Sequence, residues 1–164
     1  MKPVYSYKIF HSKVLFGIVL CQVAGICSAF IAGSTKNNTW FKMLQKPTWN
    51  PPSFVFGPVW TLLYILMGIA LGIVLQAPPS ALKTKAMWVF ALQLALNFAW
   101  SILFFKFHST TLALADILLL ACSIALSIWL FGMLSQKAAW LLVPYISWVS
   151  FATVLNFAIW QLNR

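Results

Sequence analysis

Five apolar runs of about twenty residues fill most of a chain that contains a single acidic side chain, Asp116. A helix needs about 20 mostly apolar residues to cross the hydrocarbon core of a bilayer. The runs fall at 14–33, 53–75, 86–105, 110–134 and 138–162 of the 164 residues. Lipid offers no partner for backbone N–H and C=O groups, so runs of this kind must be helices. The sequence therefore predicts an all-α integral membrane bundle of five transmembrane helices in one domain, spanning residues 1–164, with the spans read as unbroken. Composition agrees: 62% of residues are hydrophobic and 7% charged, where a soluble domain has about 45–50% and about 25%. The first run is long for a secretory signal and lacks a cleavage pattern.

The charge balance excludes several functions. The net charge is +10, but the bases are scattered between apolar runs. A nucleic-acid binder gathers them on one face, so no nucleic-acid partner is expected. Five spans put the two termini on opposite sides. Lys2, Lys8, Lys13, Lys83, Lys85 and Lys137 fall on one side, and Lys36, Lys42, Lys46, Lys106 and Arg164 on the other. Six against five assigns no orientation under the positive-inside rule. One acid cannot supply paired carboxylates. His11 and His108 lie at or beyond the ends of apolar runs, away from Asp116. Cys21, Cys27 and Cys122 have no CxxC spacing and sit in apolar runs, so small packing residues are expected there and no metal site. Asn37-Asn38-Thr39 is a glycosylation sequon that matters only in a secretory pathway.

Helical periodicity sorts the remaining polar residues. In the third span Ala91, Ala95 and Ala99 recur every four residues on one face, and Gln93, Asn97, Trp100 and Phe104 form a different stripe. The alanine face suits close helix approach, within the protomer or between two copies. Buried amides must be satisfied, so Gln93 and Asn97 should face the interior, as interhelical hydrogen bonds or as ligand contacts. Tyr145, Trp148, Ala152 and Asn156 form a similar stripe on the fifth span, and Trp60, Tyr64 and Gly68 on the second. Gly68 and Gly72 make a GxxxG pair, and Gly17, Cys21, Gly25 and Ser28 a small face that reads as packing. Asp116, Ser123 and Ser127 share a stripe in the fourth span, read as structural.

Trp40, Trp49, Trp88, Trp140 and Trp160 lie near span ends, as an interfacial belt requires. Trp60, Trp100 and Trp148 lie deeper, beside small or polar neighbours. Three helices each contributing an aromatic to one core is what a pocket for a planar apolar ligand needs. The connection 34–52 contains Lys46-Pro47-Thr48-Trp49-Asn50-Pro51-Pro52. Its prolines exclude a continuous helix, so it is a stiff linker or a lid with Trp49 as plug.

These motifs together resemble a known family. Trp40-Phe41 with Leu44, Lys46-Pro47-x-Trp49-x-Pro51-Pro52 and Phe56-x-Pro58-x-Trp60-x-x-Leu63-Tyr64-x-x-Met67-Gly68 look like the tryptophan-rich sensory protein, or translocator protein, family. Gln93-Leu94-x-Leu96-Asn97-x-x-Trp100-Ser101, Asp116 and Pro144-Tyr145-x-x-Trp148-x-x-Phe151-Ala152 agree with its last three helices. The resemblance implies a five-helix bundle, usually dimeric, that binds porphyrins such as protoporphyrin IX, sterols and isoquinoline carboxamides as ligands and requires no cofactor. It implies a ligand site at Phe41, Pro47, Trp49, Trp60, Asn97, Trp100, Tyr145, Trp148 and Ala152. It implies a dimer face at Ala91, Ala95 and Ala99. It also allows light-dependent porphyrin degradation with Trp60 and Trp148 as catalytic residues, or transport of a small amphipath. Two positions depart from the family pattern. Phe41 stands where many members have tyrosine, and Phe157 stands at the tyrosine of the animal cholesterol consensus, with Arg164 the only base nearby. The expectation is a bacterial-type, tetrapyrrole-binding member in a cell-envelope membrane.

Overall fold

The computed structural model describes residues 4–33 and 38–164, with side chains from residue 11 onward. Lys2, Lys36, Asn37 and the side chain of Lys8 lie outside the described residues. The elements are α1 (Val4–Ala32), α2 (Thr39–Met43), α3 (Ser53–Val74) and α4 (Ala81–Ser101), which continues as a π-helical turn, Ile102–Lys106. They are followed by α5 (Thr110–Leu134), α6 (Gln136–Leu141) and α7 (Val143–Leu162). Among the described residues there is no strand. Five stretches are long and apolar enough to span a bilayer: His11–Ala32, Ser53–Val74, Ala81–Lys106, Thr110–Leu134 and Gln136–Leu162. The chain is a multi-pass, all-α membrane bundle.

Helix ends differ from expectation where local chemistry extends or breaks them. The third span starts at Ala81 rather than 86, because the Ser80 hydroxyl accepts the Lys83 N–H at 3.1 Å and satisfies an otherwise orphaned donor. Ser109 caps α5 in the same way through Leu112 N–H at 3.2 Å. Gly33, at φ +87°, ends α1 in the left-handed region that glycine adopts without penalty. The fifth span is not one helix. It breaks at Leu142 between α6 and α7, because Pro144 has no N–H and its ring clashes with the preceding turn. Leu142 N–H turns to the Ala139 carbonyl at 3.0 Å instead. The third span closes with Phe107 N–H on the Ile102 carbonyl at 3.0 Å, and His108 then takes φ 55° and stacks on Trp40 at 4.7 Å.

The tightest helix contact is α1 on α3, and glycine makes it possible. A Cβ on Gly17 would stand 2.3 Å from the Gly68 carbonyl oxygen. One on Gly68 would meet Ile18 Cα at 2.3 Å, and one on Gly72 would meet Val14 Cα at 2.4 Å. Such separations are far inside van der Waals contact, so the two backbones touch only because these positions lack side chains. One turn beyond Cys21, the small face of α1 meets an aromatic: the place of a Gly25 Cβ is taken by the Tyr64 ring. Ser28 Oγ donates to the Phe98 carbonyl at 2.7 Å and ties α1 to α4.

The main core runs through Met67, Leu71, Ile124, Phe131 and Val149, with Phe90 stacked on Phe131 at 5.5 Å. A smaller cluster, around Phe104, Ala113, Leu155 and Ile159, lies under the 38–52 connection. Ala91 and Ala95 are exposed and Ala99 half-buried, so the alanine face does not pack inside the protomer. Gly68→Ala forces α1 and α3 apart; overpacking of this kind costs about 1–3 kcal/mol. Thermal unfolding in detergent should show a marked fall in Tm for Gly68→Ala and almost none for Gly57→Ala, where a Cβ meets nothing within 4 Å.

Candidate ligand-binding site

The bundle encloses a cavity of about 630 Å³, within the range of about 300–1,000 Å³ typical of small-molecule sites. Trp60 on α3, Asn97 and Trp100 on α4, and Trp148 and Ala152 on α7 all line it. The three deep tryptophans picked out by their polar and small neighbours thus converge on one space. Trp60 lies 5.4 Å from Tyr64, Phe56 sits edge-on to Trp148 at 5.8 Å, and Trp100 stacks on Phe104 at 5.1 Å. Each indole is therefore held in place by a second ring, and Trp100 already has one face covered.

The floor is a chain of hydrogen bonds across three helices. Tyr64 OH donates to Asn97 Oδ1 at 2.6 Å, Asn97 Nδ2 donates to Tyr145 OH at 3.0 Å, and Tyr145 OH donates to Gln93 Oε1 at 2.9 Å. Interhelical bonding meets the cost of burying Asn97 and the Gln93 carbonyl in an apolar core, while Gln93 Nε2 has no hydrogen-bond partner among the described residues. Asn97 lines the cavity as well, so its two sequence readings coexist. Tyr145 does not line it: it is wholly buried beneath, between Asn97 and Gln93.

The roof comes from the connection after α2. Phe41, Lys46 and Pro51-Pro52 line the cavity; Pro47 and Trp49 do not. Trp49 is 46% exposed and meets Phe151 edge-on at 6.0 Å, so it lies outside rather than plugging the mouth. Lys46 is the charged side chain of this connection that lines the cavity. Its ammonium donates to the carbonyls of Phe41 and Leu44 and sits 4.5 Å over the Phe41 ring. Partial desolvation lowers its pKa from the ordinary lysine value. The roof is pinned at two points. Asn38 Nδ2 donates to the Phe105 carbonyl at 2.9 Å, and Gln45 and Asn163 exchange two bonds, each 2.9 Å.

Sequence reasoning missed one wall. Gln22, Gly25, Ile26 and Ala29 of α1 line the cavity, although the small face of that helix reads as packing alone. The available signal was Gln22, the amide in the middle of the first apolar run. Asp116 is buried on α5 but does not line the cavity, and its Oδ2 has no hydrogen-bond partner among the described residues. Ser123 and Ser127 bond within their own helix, to the carbonyls of Leu120 and Ser123. Among the described residues no group of three His, Cys, Asp or Glu side chains could hold a metal ion.

Residues 17–161 match the family model described as TspO/MBR. The chain belongs to the TspO/MBR family. It is 44% identical over 158 residues to the tryptophan-rich protein TspO of Chlorobaculum tepidum, covering 93% of this chain and 99% of that protein. It is 39% identical over 152 residues to the tryptophan-rich protein TspO of Archaeoglobus fulgidus, covering 92% and 97%. Human translocator protein is 39% identical over 128 residues, 76% of this chain and 75% of that one. Within this family frame the Tyr64–Asn97–Tyr145–Gln93 chain sets the shape of the cavity floor. Tyr145→Phe leaves Asn97 Nδ2 and Gln93 Oε1 without their partner, and unfolding in detergent should lose about 1–3 kcal/mol. Ser147→Ala, at an exposed hydroxyl bonded within its own helix, should change stability by less than about 0.5 kcal/mol.

Proposed function

We propose that this TspO/MBR family member is a membrane receptor for planar hydrophobic ligands, with porphyrins such as protoporphyrin IX the favoured class. Sterols and isoquinoline carboxamides are related ligands of the same site. The observation that carries this reading is the convergence of Trp60, Trp100 and Trp148, from three helices, on one cavity of about 630 Å³. Flat aromatic surfaces reward a flat ligand by stacking and area burial. Lys46 at the mouth supplies a positive charge for an acidic edge of such a ligand, and the amide of Asn97 a polar contact at depth. Binding needs no metal or cofactor.

The lipid-facing Ala91 and Ala95 suit a second copy of the chain, since small residues let helix backbones approach closely. A homodimer in a bacterial cell-envelope membrane, with termini on opposite sides, is the arrangement we infer.

Titration of the detergent-purified protein with protoporphyrin IX in the dark tests the site. Tryptophan fluorescence should quench saturably. Trp148→Phe and Trp60→Phe should each weaken binding about tenfold, or ~1.4 kcal/mol, while Trp88→Phe, at an exposed belt position, should leave it unchanged. Unsaturable quenching, or equal affinity in all variants, would exclude the cavity as a porphyrin site.

A further inference from the structure

We propose that ligand reaches the cavity sideways, from within the bilayer, through the seam between α1 and α3, and that Gln22 latches this seam. The inference rests on reading the cavity as a ligand site.

The two ends of the α1–α3 contact differ in kind. Around Gly17, Gly68 and Gly72 the backbones touch and nothing can pass. Beyond Gly25 the helices no longer meet in that way. Ile26 and Ala29 of α1 and Gly57 and Thr61 of α3 line the cavity, and all four are exposed although they lie within the spans. Ile26 is 66% exposed, and a Cβ at Gly57 would meet nothing within 4 Å. Residues that line the cavity and still keep this much exposed surface mark a stretch that no further layer of side chains covers.

One side-chain hydrogen bond crosses this thin stretch: Gln22 Nε2 donates to the Thr61 carbonyl at 2.9 Å. An amide at mid-helix, at the edge of lipid, is costly unless bonded, so the bond holds while nothing competes for the seam. Other boundaries carry their own fasteners. Ser28 closes α1 onto α4 through the Phe98 carbonyl. The roof is held by Asn38 on Phe105 and by the reciprocal Gln45–Asn163 pair. With the water-facing side pinned at several points and the thin α1–α3 stretch at one, the favoured occupant is a molecule that already partitions into the bilayer. A flat amphiphile meets that description, and a freely water-soluble ion does not.

The test uses the full chain in phosphatidylcholine vesicles with protoporphyrin IX dissolved in the bilayer. Stopped-flow tryptophan quenching gives the association and dissociation rates. Gln22→Leu should raise both at least threefold, and Gly57→Phe, which fills the open seam, should lower both at least fivefold. A second readout needs no ligand. A bilayer-dissolved diazirine probe, activated by light, should label Ala152 and Trp148 inside the cavity, and Gly57→Phe should cut that labelling several-fold relative to lipid-facing Leu118 and Leu119. Saturable quenching with rates and labelling unmoved by either variant would overturn the seam while leaving the porphyrin reading intact. Absence of saturable quenching would overturn the porphyrin reading, and the labelling ratio would then decide the seam alone: reduced by Gly57→Phe supports it, unchanged overturns it.

Discussion

Contact between bare backbones at Gly17, Gly68 and Gly72 fixes the geometry on which the remaining features depend. In lipid there is little hydrophobic drive to bring helices together, so association relies on close packing and weak backbone contacts. Glycine provides both by letting α1 lie directly on α3. Close approach at one end has a consequence at the other. Gly25 leaves room for the Tyr64 ring, which lets the Tyr64 hydroxyl reach Asn97 on α4. A side chain at either level would move α1 and the cavity floor together.

The polar groups then act as fasteners rather than as chemistry. The only acid in the chain lies off the cavity, and the amides and hydroxyls that matter are bonded helix to helix or loop to helix. What remains exposed to the enclosed space is mostly aromatic and small. A site of this composition selects by shape and stacking, with Lys46 as the nearby charge. That composition is what the receptor reading proposed above rests on, and the roof over it is fastened to the bundle.

Much of this was legible from residue spacing. The apolar runs gave the five spans, because lipid enforces helices of one approximate length. Trp60, Trp100, Trp148 and Asn97 could be grouped because a 3.6-residue period, together with the cost of burying polar groups, tells which face is inside. Three features escaped. The lid reading of the connection put Trp49 in the mouth, but the Asn38–Phe105 and Gln45–Asn163 bonds that hold this stretch are distant in sequence, and no local pattern encodes them. The break at Leu142 was hidden because Pro144 sits in an otherwise unbroken apolar run. The α1 wall was missed because Gln22 is a lone amide without a repeating partner, and a small-residue face looks the same whether it meets a helix or a space.

The relay beneath the tryptophans has a direction. Each bond passes the donor role inward, from Tyr64 to Asn97, from Asn97 to Tyr145, and from Tyr145 to Gln93. Tyr64 lines the cavity with its one proton already committed, so what its oxygen can offer a guest is a lone pair. A guest bearing an N–H or O–H there would polarise the whole chain and strengthen every bond in it. A guest presenting only a carbonyl would have to draw the tyrosine proton away from Asn97 and leave a buried oxygen without its donor. Among flat molecules of equal size, the floor favours those that carry a proton at the edge they bury deepest.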